Sequence, residues 1–298
     1  MTHLDRAAMD QPPSLTIVPN DGIVHILDIG ASPLYGPAFY EPLLQRGAAT
    51  GIGFEPDPRA YGALCTRESA AERYFPYIIG DGARQTFYHC EQSGMSSIFP
   101  ANFGLLRHFD NFAEISRVVA TEEVETKRLD DIPEIGEVDL LKMDVQGGEL
   151  CVVRGAKKTF AGTTVIHTEA LFVPMYESQP LFSDLDLALR ERGFQIYRFV
   201  EVVNCYLRPF NESRVARFSD PNGRQLCWVD AVYIRQLGQI GELDSARLLR
   251  FCTVTHDLYR AWDVVHFALE IHDQQHNTQW SHRYLEWAAT SARQSENG

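Results

Sequence analysis

The sequence predicts an α/β fold, a mostly parallel sheet with helices between its strands. Three observations carry this. Short apolar runs rich in β-branched and aromatic residues recur between residues 23 and 235. Several are followed by a helix-forming segment, and strands that alternate with helices build a parallel sheet covered on both faces. Acids and glycines gather where the runs end, the place where open α/β sheets bind ligands.

The first strand is Ile23–Ile29 (IVHILDI), a continuous apolar run that reads as buried on both faces. A helix over Ala38–Arg46 follows. The second strand, Thr50–Glu55, is stopped by Pro56. It leads into a helix over Pro58–Glu72, whose proline sits where a missing N–H costs nothing. The third, Tyr74–Ile79, closes at Gly80-Asp81-Gly82. Residues 81–137 break the rhythm with extra strands at Thr86–Cys90 and Val118–Leu129, joined through the loop Ser93–Ser97. They read as an insertion at the carboxyl end of the third strand. The fourth strand, Val138–Val145, precedes a helix over Gly148–Phe160. The fifth, Thr164–Glu169, precedes a helix over Phe182–Arg192 capped at Gly193. The sixth, Phe194–Val200, and the seventh, Leu226–Arg235, have no clear helix between them, so the seventh is expected to return antiparallel.

In the tail, Leu248, Cys252, Leu258, Trp262, Val265 and Leu269 recur at helical spacing. A more polar segment rich in His and Trp runs to about residue 292. The domain plan is therefore an N-terminal arm (1–20), a sheet domain (21–238, with the 81–137 insertion beside an acceptor pocket) and a helical extension (239–298). The extension is expected to pack as a helical pair over Asp244–Trp287. Trp262, Trp280 and Trp287 either cover their own chain or join two copies into a homodimer through the C-terminal helices.

Acidic residues outnumber basic ones 40 to 27, for a net charge of −13. A surface that negative repels nucleic-acid backbones and anionic lipid, so neither is an expected partner. No apolar run approaches the ~20 residues of a membrane span. The start, MTHLDRAAMDQPPS, lacks the basic and apolar stretches of a signal peptide, and a cytoplasmic location is expected. Six scattered cysteines without a C-x-x-C pair argue against a disulfide framework or a cysteine zinc site.

The chemistry concentrates at strand ends. Asp28-Ile29-Gly30-Ala31-Ser32 places an acid and then a glycine at the first turn, where a cofactor approaches the backbone. Glu55 ends the second strand, where a carboxylate accepts hydrogen bonds from both hydroxyls of a ribose. Asp81, after Gly80, is placed to meet an adenine amino group. Asp28, Gly30, Ser32, Glu55, Asp81 and Asp144 are the candidate cofactor-binding residues; each acid is alternatively a solvated strand end or a helix N-cap. Asp144 ends the fourth strand before Gly147-Gly148, and Glu149 opens the next helix as a reacting acid or a helix-dipole partner. His167 and Glu169 leave the fifth strand beside Asp144, on one side of that strand. His167 is a base or a buried structural histidine. His272 and His276 stand four apart but without a third ligand, and read as a solvated helix face.

These motifs, in order D-I-G-A, G-F-E-P-D-P, I-I-G-D, G-M-S-S-I-F, R-L-D-D-I and V-D-L-L-K-M-D-V-Q-G-G-E-L-C-V-V-R-G-A, resemble the FkbM-type methyltransferases over residues 23–200. The stretch Val138–Ala156 is the most specific part. The resemblance implies a Rossmann-like, seven-stranded methyltransferase sheet with helices on both faces, using S-adenosylmethionine. It implies O-methylation of a hydroxyl on a sugar, polyketide, glycan or related small metabolite. The family's first turn, D-x-G-A-N-x-G, is altered here: Ser32 replaces Asn, Leu34 replaces the second Gly, and Pro33 and Pro37 flank it. The alternative is thus a methyltransferase-like binding or assembly module. A nicotinamide oxidoreductase is disfavoured, because the G-x-G-x-x-G spacing is missing. An alcohol acceptor must lose a proton, through a base or a metal. Asp144, His167 and Glu169 are the candidate catalytic residues. One Mg²⁺ held by Asp144 and Glu169 is the less favoured version, since two carboxylates make a sparse site.

Overall fold

The computed structural model describes residues 22–33, 36–109, 111–208 and 224–295, with side chains to residue 290. The N-terminal arm 1–20 and Leu34 lie outside the described residues. In chain order the strands are β1 (Val24–Ile29), β2 (Ala49–Phe54), β3 (Glu72–Phe75), β4 (Arg84–Cys90), β5 (Val118–Glu125), β6 (Leu140–Met143), β7 (Val165–Leu171), β8 (Phe194–Cys205) and β9 (Gln225–Arg235). The helices are α1 (Glu41–Gln45), α2 (Pro58–Cys65), α3 (Phe103–Leu106), α4 (Phe112–Ile115), α5 (Glu149–Arg154), α6 (Lys157–Gly162), α7 (Phe182–Glu191), α8 (Leu237–Ile240), α9 (Ser245–Asp257), α10 (Trp262–His276) and α11 (Trp280–Ser295).

Seven strands form one sheet in the order β3-β2-β1-β6-β7-β9-β8, and β4 with β5 forms a second, two-stranded sheet. β9 pairs antiparallel with both β7 and β8, as the missing helix before it predicts. β2 with β3, β1 with β6, and β6 with β7 run parallel. Their carboxyl ends therefore share one edge.

Alternation along the strands divides the two faces. Leu27 and Ile29 of β1, Leu141 and Met143 of β6, Ile166 and Ala170 of β7, and Val229, Ala231 and Tyr233 of β9 enter one core. Leu150, Val152 and Val153 of α5, Phe160 of α6, and Leu185 and Leu189 of α7 close it. Each fully buried side chain of this size contributes about 1.5–3 kcal/mol. The opposite face carries the residues between: Asp28, Lys142, His167, Glu169 and Asp230.

Several elements differ from their sequence expectation. β3 starts earlier and stops at Phe75, because Pro76 has no N–H for the ladder. Ile79, expected in that strand, makes only an isolated bridge with Lys127. The expected strand Val118–Leu129 ends at Glu125, and Leu129–Asp131 forms a 3-10 turn. β8 continues to Cys205 rather than ending at Val200. The helix expected over Gly148–Phe160 is two, α5 and α6, broken at Gly155 and Ala156. A Cβ on Gly155 would lie 2.1 Å from the carbonyl oxygen of Gly80, so this break is a close backbone approach that only glycine allows.

The chain forms two compact units, one of His25–Ala38 and Thr50–Arg235, the other uniting Phe39–Ala49 with the helices from Gln236 on. In the second unit the tail is three long helices rather than a pair. Arg260, at φ 50°, separates α9 from α10. Asp244 caps α9 by accepting from the Arg247 N–H at 2.9 Å. Trp262 and Trp287 pack edge to face at 5.7 Å, and Trp280 stacks on His272 at 4.4 Å. His272 is buried, which corrects the expectation of a solvated face at that residue, whereas His276 is exposed. The two ring nitrogens of His272 face Ser245 Oγ at 2.8 Å and Thr278 Oγ1 at 3.1 Å, a structural role that occupies both. None of the six cysteines is in a disulfide among the described residues, and no helix among them is long and apolar enough to cross a membrane.

Candidate active site

Strand register assembles a charged row on the face opposite the main core. Asp28 of β1 pairs with Lys142 of β6, and Lys142 pairs with His167 of β7. Glu169 of β7 lies directly across from Asp230 of β9. The row crosses four strands, next to the last residue of the parallel β1 and β6, within β7, and at the middle of the antiparallel β9.

Lys142 is its centre. The ammonium lies 3.1 Å from Asp28 Oδ1 and 3.9 Å from Asp144 Oδ2, and it donates to the Gly30 carbonyl at 2.6 Å. Burial works against the charged ammonium, but the Asp28 and Asp144 carboxylates outweigh it and hold the lysine above its ordinary range.

The first turn is stitched to the end of β2: the N–H groups of Gly30 and Ala31 both donate to the Phe54 carbonyl, each at 3.0 Å. Gly30 has φ +82°, and a Cβ there would sit 2.1 Å from the Asp144 carbonyl oxygen. No other residue fits. Ser32 follows, half-buried. Glu55, next after Phe54, is buried, and its Oε1 accepts the Asp57 N–H at 2.8 Å. Burial pushes this carboxyl up to about 7, opposed by the Asp57 hydrogen bond. Asp81 follows the edge strand β3; its Oδ1 accepts the Ala83 N–H at 3.0 Å.

Past β6 the chain turns sharply through two left-handed residues, Gln146 (φ 55°) and Gly147 (φ 90°). The Gln146 amide donates to Asp144 Oδ1 at 2.9 Å and to Glu169 Oε2 at 3.3 Å. Its side-chain oxygen Oε1 accepts from the Tyr176 hydroxyl at 2.8 Å. Glu149 turns back to accept the Val145 N–H at 2.9 Å, and burial pushes its carboxyl up to about 7. Glu169 is raised well above the ordinary carboxylate range, first by burial and then by the charges of Asp144, Glu149 and Asp230. His167 is buried, with Nε2 3.6 Å from Asp230 Oδ2. Among the described residues no three His, Cys, Asp or Glu side chains are grouped to hold a metal ion.

The structure thus joins four predicted residues, Asp28, Asp144, His167 and Glu169, through residues the sequence reading passed over. Lys142 was legible as the one charge inside an otherwise apolar central strand. Gln146, Asp230 and Tyr176 had no comparable signal; strand register and the fold of the 171–180 segment bring them in. Glu55 stands one strand outward from β1, and Asp81 beyond it.

A model of the methyltransferase FkbM domain matches residues 28–196, from the acid of the first turn through the start of β8. The chain belongs to the FkbM methyltransferase family. It is 36% identical over 173 residues to the 2-O-methyltransferase NoeI of Sinorhizobium fredii, a match that covers 54% of this chain and 70% of that protein. Among solved structures, the FkbM methyltransferase of Methylobacillus flagellatus KT aligns at 15% identity over 70% of this chain with a TM-score of 0.35. This chain spans 43% of the length of that one. A structure described as StiE O-MT aligns at 9% identity and a TM-score of 0.37, over 85% of this chain and 75% of its own. This FkbM-type methyltransferase has the seven-stranded sheet that the motifs imply.

Proposed function

We propose that this chain is an S-adenosylmethionine-dependent O-methyltransferase that acts on a hydroxyl of a sugar, polyketide, glycan or related small metabolite. The observation that carries the reading is the carboxylate row at the strand ends, with Asp144 half-exposed beside the close approach at Gly30. The name of the Sinorhizobium relative supports oxygen as the acceptor atom.

The residues present fit the cofactor. Gly30 lets the first turn close against the Asp144 carbonyl, beside which the methionine end would lie. Glu55 offers a buried carboxylate to the ribose hydroxyls; such charge-assisted bonds contribute roughly 1.5–3 kcal/mol each. Asp81 would meet the adenine amino group, and Asp28 and Ser32 would lie toward the methionine half. When bound, the cofactor supplies an electrophilic methyl group on a sulfonium.

Asp144 then orients the acceptor hydroxyl and takes its proton, with His167 as the next candidate. Glu169, whose carboxyl holds its proton well above the ordinary range, hydrogen-bonds the acceptor instead of competing as the base. Lys142 holds Asp28 and Asp144 in place. The same reading works without a metal, through oxygen and nitrogen groups already positioned. Isothermal titration with S-adenosylmethionine is the test: saturable binding supports the reading, and no binding up to millimolar ligand leaves the chain a methyltransferase-like binding or assembly module.

A further inference from the structure

Gln146 occupies a conformation that a glutamine rarely adopts. Its φ of 55° is left-handed, and Gly147 continues the turn. A strained residue of this kind persists when its surroundings over-determine it. Here every polar group of the side chain is engaged. An amide nitrogen carries two N–H donors, and they are directed at two carboxyls, Asp144 Oδ1 at 2.9 Å and Glu169 Oε2 at 3.3 Å. The amide oxygen takes the Tyr176 hydroxyl at 2.8 Å, and the Asp144 carboxylate, which only accepts, requires the other end to be the nitrogen.

The supports of Gln146 come from a different part of the chain. The Tyr176 hydroxyl also lies 3.2 Å from the Met95 carbonyl, and the Ser97 hydroxyl donates to the Gln146 carbonyl at 2.7 Å. Met95 and Ser97 belong to the loop that joins β4 to α3, and the buried Ser97 is bonded both ways with Tyr88 of β4. Asp144 and Glu169 stand on neighbouring strands and repel each other. A neutral amide between them bonds both without adding charge.

We propose that Gln146 is a positioning residue, which holds Asp144 and Glu169 as one pair facing the acceptor and is itself set by the loop Ser93–Ser97 through Tyr176 and Ser97. The role in acceptor chemistry rests on the methyltransferase reading; the clamp itself does not.

The test is NMR of the full chain with ¹⁵N-labelled glutamine and ¹³C-labelled carboxyls, with no cofactor or acceptor added. The Gln146 side-chain amide is expected to exchange with water at least tenfold more slowly than that of the exposed Gln274. One of its proton signals is expected to titrate with Glu169, an inflection that Glu169→Gln abolishes. Gln146→Asn keeps an amide and tolerates the left-handed turn but is one methylene too short to span both carboxyls. It is expected to move the Glu169 midpoint further up by at least half a pH unit, about threefold in proton affinity. If Gln146→Asn does not fold, Tyr176→Phe, which leaves the turn untouched, must still speed exchange of the Gln146 amide. An amide that exchanges like Gln274, or a Glu169 titration unmoved in Gln146→Asn, overturns the proposal. Calorimetry with S-adenosylhomocysteine on the same samples tests the methyltransferase reading separately, since neither result depends on the other.

Discussion

Lys142 and Asp28 form an ion pair of 3.1 Å across the neighbouring strands β6 and β1, both side chains largely buried. Breaking such a pair from one side leaves an uncompensated charge in a dry site, a loss of about 3–5 kcal/mol. Lys142→Met is expected to destabilise the fold by about 3 kcal/mol in urea denaturation. Adding Asp28→Asn should restore at least half of that loss; no recovery would mean that Lys142 acts through packing alone.

Cofactor affinity should depend on pH through Glu55. Its carboxyl must be ionised to accept two ribose hydroxyls, and burial sets its midpoint at about 7. Binding is therefore at full strength above that pH and weakens below it, by about tenfold per unit. Calorimetric titration of S-adenosylmethionine at pH 6 and pH 8 should show roughly that tenfold difference. Glu55→Gln should bind at least tenfold more weakly at pH 8 and lose the dependence.

Glu149 makes a stability prediction of defined sign. Its folded midpoint, about 7, lies above the ordinary 4.5. The folded chain thus binds the proton more tightly than the unfolded one, and stability from this group falls as pH rises from 4.5 to 7. The cost is complete above 7. Glu149→Gln, which can still accept the Val145 N–H, should flatten this fall and gain roughly 1–3 kcal/mol at pH 8 relative to pH 5. Denaturation midpoints at the two pH values measure it.

Two glycines with positive φ should respond differently to the same change. At Gly30 (φ +82°) an added Cβ meets the Asp144 carbonyl at 2.1 Å, whereas at Gly36 (φ +116°) it meets nothing within 4 Å. Both alanine variants bear the conformational cost of about 1–2 kcal/mol. Gly30→Ala should lose further stability and cofactor affinity as the turn moves away from Asp144; Gly36→Ala should not. Equal thermal shifts for the two would remove the close approach from the explanation.

Asp144→Asn is nearly isosteric and can still accept from the Gln146 amide. Removing a base of this kind lowers turnover about 10²–10⁴-fold. With an acceptor in hand, kcat should fall by that order while S-adenosylmethionine binding stays within threefold. Wild-type turnover after EDTA treatment should be unchanged. Full activity of Asp144→Asn would pass the role to His167, and loss of activity with EDTA would bring back the Mg²⁺ alternative.

Strand identity was legible wherever a run of apolar residues ended in an acid or glycine, as at Asp28-Ile29-Gly30 and Asp144. Helix and strand limits were not, because they depend on contacts with distant residues. Gly155 breaks α5 from α6 where the Gly80 backbone presses on it, and nothing in the local sequence carries that pressure. Asp28, Glu55, Asp144 and Glu169 could be picked out as acids at strand ends. Asp230 could not, since it sits mid-strand in β9 and becomes a partner of Glu169 only through antiparallel register. Tyr176 reaches Gln146 from outside any strand or helix, a contact with no periodicity to announce it.

The ion pair between Arg46, just past α1, and the buried Asp257 of α9 joins residues 211 positions apart. On a ribosome that adds about 5–20 residues each second, Arg46 waits roughly 10–40 s for Asp257 to be made. Phe39 waits as long for the ring of Tyr259, 6.0 Å away in the finished fold. Through that interval Phe39–Ala49 is a nascent segment without its helical partners, and a message cut short before α9 yields a chain whose first helix never finds them.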